Sequence, residues 1–350
     1  MPVERFSENP LIRPSDVAPS RPDFEVACAF NCGAIRVGEE VVLLLRVAER
    51  PKAVPADRVV APIFDDEVGG RLKLLSVRRD DPDFRAIDSR LFTYQGRTYL
   101  TSISHLRLAR SRDGRRFAIE PKPALEAATP DEAFGVEDPR ISFIDGRYWV
   151  NYTAVSDRGI STALAVTDDF HTFERRGLIF APENRDVTVF PAKIGGRYAA
   201  LHRPAPSVLG GRDIWLAYSP DLMHWGDHRL VCRRRAGQWD ALRIGGGAVP
   251  VRTEAGWLAI YHGADASERY CLGALLLDLQ DPSKVLARSA APLMAPEAAE
   301  ERQGFFGNVV FTAGAVTDGD ELIIYYGASD EYMCAARVGI REVLDGLGPA

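Results

Sequence analysis

One local pattern recurs along this chain at a spacing that few folds accommodate: an apolar β-prone run, a glycine-centred turn and a second β-prone run. The turns fall at Gly96-Arg97, Gly146-Arg147, Gly196-Arg197, Gly256-Trp257 and Gly319-Asp320. They stand roughly 50 to 60 residues apart, the repeat length of one β-propeller blade. Tyr99, Tyr148 and Tyr198 follow the first three turns, and aromatic residues suit a half-buried pleated surface. Two further strands follow most hairpins, joined by a second shared turn. It reads Ser111-Arg112-Asp113 ahead of Phe117, Thr167-Asp168-Asp169 ahead of Phe173, Ser219-Pro220-Asp221 ahead of Trp225 and, more loosely, Asp278-Leu279-Gln280-Asp281. Ser, Thr and Asp favour such turns because their side chains bond nearby backbone amides. Four short strands per unit and five units predict an all-β chain, a five-bladed β-propeller. A β-sandwich competes, but it needs no repeated turn chemistry.

Residues 1–22 are rich in Pro and polar side chains and read as an extended N-terminal arm. The Cys28–Arg46 hairpin, turning through Gly38-Glu39-Glu40, is expected to join the C-terminal strands near Cys334–Val338 and close the ring. Residues 340–348 read as a short C-terminal helix, and 1–350 as one catalytic domain. Apolar content of 46% supports a sizeable core. A formal net charge of −6 argues against a nucleic-acid partner, which would call for a basic face. The five cysteines (Cys28, Cys32, Cys232, Cys271, Cys334) are scattered and read as free thiols in a reducing compartment. The first twenty residues lack the basic-then-apolar order of a signal peptide, and no apolar run is long enough to span a membrane. The expected location is cytoplasmic.

In a propeller the first strand of each blade lines the central channel. Aligning the units on their hairpins sets Asp88-Ser89-Arg90 over Asp138-Pro139-Arg140, and the same offset selects Arg185-Asp186, Arg243-Ile244-Gly245 and Gly307-Asn308. The ends of the second strands converge too: Ser104-His105, Ser156-Asp157, His202-Arg203, His262-Gly263 and Ser329-Asp330. The channel mouth is therefore expected to be polar and charged. Glu137 and Asp138 are adjacent, and neighbours in an extended strand face opposite ways. They cannot then flank one glycosidic bond as an acid/base pair. Asp138, in phase with Asp88, is the one expected to face the axis. A basic set, Arg185, Lys193, His202, Arg203 and His262, stands out in an acidic chain, and Arg forks with Lys and His suit phosphate oxygens. Gly245-Gly246-Gly247 lacks a following Lys-Ser/Thr and reads as a close-approach turn rather than a phosphate loop.

These residues sit inside a longer series of blocks. The series runs Asn9-Pro10, Phe30-Asn31 with Gly33-Ala34, Leu45-Arg46-Val47, Glu137-Asp138-Pro139-Arg140, Phe190-Pro191-Ala192-Lys193 and Leu201-His202-Arg203-Pro204. It continues with Tyr261-His262-Gly263, Tyr270 with Leu272-Gly273-Ala274, Asn308-Val309-Val310-Phe311 and Tyr325-Tyr326-Gly327-Ala328 before Asp330. In that order, over nearly the whole chain, they resemble the glycoside hydrolase family 130 enzymes, the β-mannoside phosphorylases and their hydrolase relatives. The resemblance implies Asp138 as catalytic acid, acting through the 3-hydroxyl of the mannosyl ring. It implies phosphate held by Arg185, Arg203, His262 and Tyr270, with Lys193 and His202 beside them. It places Asn31, Arg46, Arg140 and Asp330 near the mannosyl unit, where the axis alignment adds Asp88 and Asn308.

The expected reaction is inverting phosphorolysis of a β-1,4- or β-1,2-mannoside, giving α-mannose 1-phosphate and an acceptor sugar. Inorganic phosphate is co-substrate, no metal or other cofactor is called for, and self-association is left open. A β-mannosidase and a non-catalytic glycan-binding propeller are the rival readings. The family's hydrolases lack much of the basic set, which this chain keeps.

Overall fold

The computed structural model describes residues 3–65 and 71–349; Met1 and Pro2 of the expected arm lie outside them. The described chain is almost entirely β, with two short α-helices, Ala299–Arg302 and Ile340–Asp345. The second is the expected C-terminal helix.

Five large antiparallel sheets follow one another. The first joins Phe24–Val37, Glu40–Pro51, Ile103–Ser111 and Ala118–Ile119. The second is Val136–Ile144, Arg147–Ser156, Gly159–Thr167 and Glu174–Phe180. The third is Asn184–Val189, Tyr198–Pro204, Ile214–Ser219 and Gly226–Cys232. The fourth is built on Arg243–Gly246, Trp257–Ala264, Tyr270–Leu277 and Val285–Arg288, with Gly348–Pro349 on its outer edge. The fifth is Val310–Asp318, Glu321–Ala328 and Tyr332–Gly339, with Glu4–Arg5 as outer strand. The shared turns form as their chemistry requires: Asp113 Oδ1 accepts from the amides of Arg115 and Arg116, Asp169 Oδ1 from His171 and Thr172, and Asp221 Oδ1 from Met223 and His224.

Two expectations are overturned. The Gly96-Arg97 hairpin forms, Leu91–Tyr94 against Arg97–Leu100, but only Phe84–Ala86 joins it, in a small sheet apart from the five. It lies, with a second small sheet of Arg58–Asp65 and Arg71–Arg78, in an excursion between the second and third strands of the first large sheet. The Cys28–Arg46 hairpin pairs with Ile103–Ser111, not with the C-terminal strands. The N-terminal arm takes that place instead: Glu4 and Arg5 pair with Arg337 and Ala336, and Ile12 bridges Met333. A ladder between segments so distant in sequence leaves no local signature.

The core lies between neighbouring sheets. Leu44, Leu106 and Val150 pack the first sheet on the second; Ile144 and Ala200 the second on the third; Leu201 and Ala259 the third on the fourth. Ile260 and Ile324 join the fourth to the fifth, and Tyr325 with Leu43 the fifth to the first. Truncating such a fully buried leucine to alanine costs about 2–5 kcal/mol. All five cysteines are buried and unpaired. No helix among the described residues is long and apolar enough to cross a membrane.

Candidate active site

The first strands of the first three large sheets carry the same irregularity. Register slips between Phe30 and Gly33, between Glu137 and Arg140, and between Arg185 and Thr188. Within each bulge one residue adopts left-handed backbone: Asn31 (φ 41°), Asp138 (φ 47°) and Asp186 (φ 57°). Asn and Asp tolerate that region best among residues with a side chain, at a cost of about 1–3 kcal/mol. A bulge re-aims side chains. Here it cancels the strand alternation at Glu137-Asp138, so both carboxylates line one cavity of about 310 Å³. The expectation that Glu137 faces away fails for that reason. The bulges also show that the counterpart of Asp138 in the first sheet is Asn31, not Asp88.

At one end of the cavity a guanidinium gathers carboxylates. Arg46 donates from Nη1 to Asp138 Oδ1 (3.0 Å), from Nη2 to Glu137 Oε1 (2.7 Å) and from Nε to Ser104 Oγ (3.1 Å), and stacks 4.6 Å from the Phe30 ring centroid. Asn31 Nδ2 donates to the same Asp138 Oδ1 at 3.0 Å. Among the described residues Asp138 Oδ2 accepts no hydrogen bond, which leaves it free for a ligand. Asp330 completes this end, with Arg90 Nη1 3.9 Å away. Burial pushes the Asp330 carboxyl up to about 6 against the pull of Arg46 and Arg90. Burial also raises Glu137, helped by Asp138 and opposed by Arg46. A Cβ on Gly327 would fall on Asn31 Oδ1, so only glycine lets Asn31 sit there.

At the other end a carboxylate gathers cations. Asp186 Oδ2 accepts from Arg203 Nε at 2.6 Å and lies 3.3 Å from His262 Nε2, while Oδ1 is 3.8 Å from Arg140 Nη2. Burial works against its charge, yet Arg203, His262 and Arg140 hold Asp186 well below the usual carboxylate range. Burial lowers His262, opposed by Asp186. Arg185, Arg203, Arg243 and Tyr270 also line the cavity, and Arg243 stacks 5.4 Å from the Tyr270 centroid while pairing with Glu268. Among the described residues no carboxylate bonds the Arg185 guanidinium, and the terminal nitrogens of Arg203 have no acceptor. Burial lowers Arg212 nearby, and Arg243, Arg203 and Arg185 depress it further. This end has positive charge to spare. Gly245 completes the packing, since a Cβ there would land on Asp186 and His262.

Of the sequence-predicted residues, Asn31, Arg46, Asp138, Arg185, Arg203, His262, Tyr270 and Asp330 line the cavity together. The others stand outside its lining. Arg140 is fully buried and spends its donors on the carbonyls of Asp138 (2.9 Å), Gly246 (2.9 Å) and Gly247 (3.2 Å), so it pins the bulge. Asp88 bonds Arg90 at 2.9 Å. Asn308 contributes its carbonyl, which accepts the Tyr270 amide at 3.0 Å. Lys193 is exposed, paired with Asp145 at 3.1 Å and stacked on Tyr198. His202 is buried behind the site against Asn184 and His228. The cavity adds Arg90, which the axis alignment sets beside Asp88 without giving it a role, and Phe30, Phe305, Phe306 and Phe311, none of them a candidate in the sequence. The Arg90 guanidinium lies 3.9 Å from the Phe306 ring centroid. Arg90 sits in the excursion that breaks the repeat, and the phenylalanines look like ordinary core residues.

The fold is one used by glycoside hydrolases: a thermostable family-43 glycoside hydrolase superposes with a TM-score of 0.57 over 91% of each chain, at 11% identity. The chain itself belongs to glycoside hydrolase family 130, whose sequence profile, described as beta-1,4-mannooligosaccharide phosphorylase, matches residues 84–348. A beta-1,2-mannobiose phosphorylase of Listeria innocua is 46% identical over 99% of both chains. The solved structure of a Listeria innocua beta-1,2-mannobiose phosphorylase in complex with beta-1,2-mannobiose superposes with a TM-score of 0.96, covering 99% of both chains at 46% identity. A 1,2-beta-oligomannan phosphorylase of Thermoanaerobacter is 40% identical over 69% of this chain and 80% of its own.

Proposed function

We propose that this protein is an inverting β-mannoside phosphorylase, one catalytic domain built as a five-bladed propeller whose five large sheets are the blades. The likeness to β-1,2-mannobiose and β-1,2-oligomannan phosphorylases favours a β-1,2 linkage over β-1,4. The observation that carries the reading is the cavity's division: Asp138 with a free oxygen among carboxylates, and Arg185 and Arg203 with free donors at the cationic end.

Asp138 is the acid. Its proton passes, through the sugar's 3-hydroxyl, to the glycosidic oxygen as the C1–O bond breaks. Phosphate is the nucleophile; one of its oxygens bonds C1 from the opposite face, giving α-mannose 1-phosphate and the free acceptor. Arg185, Arg203, His262 and Tyr270 hold the phosphate in line, so that its charge is already balanced when it attacks. Asn31, Arg46 and Asp330 bind the mannosyl unit. Arg140, Asp88, Asn308 and His202 act from outside the cavity by fixing residues that line it, and Lys193 takes no part. The partners are a small glycoside and phosphate; the expected compartment is cytoplasmic.

Glu137 supports a second reading, since its place in the cavity supplies the second carboxylate a β-mannosidase needs. The test is turnover of β-1,2-mannobiose across phosphate concentrations, with mannose and mannose 1-phosphate measured separately. Mannose 1-phosphate in step with phosphate is the expected result. Two free mannoses at a rate indifferent to phosphate would leave the hydrolase.

A further inference from the structure

His202 and Arg203 are consecutive on one strand, so they face opposite sides. Arg203 enters the cavity; His202 is buried behind it. In the pairing of Asn184–Val189 with Tyr198–Pro204, Arg185 stands directly opposite Arg203, and Asn184 opposite Pro204. Two like charges facing each other across a ladder destabilise it, and of these two arginines Asp186 bonds Arg203 alone among the described residues. Something must hold these strand ends together. On the far face His202 Nδ1 lies 3.0 Å from Asn184 Nδ2 and 3.3 Å from Asn184 Oδ1. Its Nε2 lies 3.1 Å from His228 Nδ1, and its ring stacks on Phe180 at 4.8 Å and 23°.

We infer that the His202–Asn184 pair is a positioning clamp, which sets the separation of the Arg185 and Arg203 guanidiniums so that one phosphate can bridge them. The inference rests on the phosphorylase reading. Asn184 directly precedes Arg185 and His202 directly precedes Arg203, so a bond between the first pair fixes the roots of the second. The ring must be neutral, since a protonated imidazole would add a third positive charge to the pair. Burial, with His228, keeps it so, lowering His202 to about 3.

The test is steady-state phosphorolysis of β-1,2-mannobiose by His202→Ala, His202→Asn and His202→Gln, with melting temperatures. Losing one buried hydrogen bond predicts a phosphate KM raised about five- to tenfold in His202→Ala, with the mannoside KM within about twofold. Asn places an amide where Nδ1 was and should restore most of the loss; Gln reaches towards His228 and should not. An unchanged phosphate KM in folded His202→Ala, or an equal rise in both KM values, overturns the clamp. If His202→Ala does not fold, Asn184→Ala answers by the same two criteria. A wild-type rate indifferent to phosphate overturns the phosphorylase reading and the clamp with it; a phosphate-dependent wild type with normal KM in the variants overturns the clamp alone.

Discussion

At one end of the cavity a guanidinium, Arg46, sits among Glu137, Asp138 and Asp330; at the other a carboxylate, Asp186, sits among Arg203, His262 and Arg140. Each end surrounds a buried ion with an excess of the opposite charge. That arrangement satisfies the central ion, whose burial alone would cost several kcal/mol, and leaves a surplus of one sign facing the cavity. At the Arg46 end the surplus is acidic, and burial together with the neighbouring carboxylates makes Glu137 and Asp330 hold protons more readily than usual. At the Asp186 end the surplus is cationic, and it appears as N–H groups of Arg185 and Arg203 that find no acceptor among the described residues. The same bulge serves both ends, with Asn31 and Asp138 in one and Asp186 in the other. One backbone device thus presents Asp138 beside a guanidinium in one case and Asp186 among cations in the other.

Removing the acid at the first end should have the largest effect. Asp138→Asn keeps the shape and the Asn31 and Arg46 neighbours but loses the proton, so kcat should fall about 10²–10⁴-fold with melting temperature little changed. Near wild-type turnover would remove Asp138 from the mechanism. Glu137→Gln should lose less.

At the second end the arginines should separate. Truncating a desolvated charged contact costs about 2–5 kcal/mol, so Arg185→Ala and Arg203→Ala should both raise the phosphate KM strongly and leave mannoside binding alone. Arg203→Ala also removes the shortest ion pair of the buried Asp186 and should lower the melting temperature; Arg185→Ala, which breaks no carboxylate bond among the described residues, should not. Equal melting temperatures would contradict the pairing in the structure.

A smaller, pH-dependent effect belongs to Asp330. Its carboxyl is raised to about 6, so it contributes stability below its unfolded value near 3.8 and loses it as pH rises through about 6. Asp330→Asn should therefore stabilise the fold above pH 6 by on the order of 1–3 kcal/mol, seen as a higher melting temperature, and the gain should vanish at pH 4 even as activity drops. A gain independent of pH would assign the effect to something other than this charge. The smallest effect is expected for Lys193→Ala, whose exposed pair with Asp145 is screened by solvent and contributes little; a shifted phosphate KM would return Lys193 to the site.

The pattern of success in the sequence follows the range of the forces involved. Turns built on Ser, Thr and Asp side chains were legible because their hydrogen bonds close within three residues, as at Asp113 and Asp221. Arg185, Arg203 and His262 stand out as charge in an acidic chain and do line the cavity, but Lys193 and His202 of the same set do not. The Gly96 hairpin was legible as a hairpin, but not its separation from the large sheets. That depends on Glu49 pairing with Ile103 across the excursion. The bulge at Asp138 was hidden because alternation is the default for a strand, and nothing in Glu137-Asp138-Pro139-Arg140 announces a φ of 47°. Strict alternation puts Glu137 on the wrong face and makes Asp88 the wrong counterpart of Asp138.

The arm that seats Glu4 and Arg5 against Ala336 and Arg337 has a consequence in time. Arg5 donates to the buried Glu301 at 2.7 Å, and the Phe6 amide to Ala335 at 3.0 Å. On the ribosome, then, Glu4 and Arg5 wait for Ala336 and Arg337, which are made long after them. The second and third sheets are meanders that can form as they emerge, but the outer strand of the fifth has no sheet to join until residues 332–339 are made. Joining such distant partners is slow, and a nascent chain stalled before residue 332 would carry an unpaired arm, a natural handle for a chaperone or a protease.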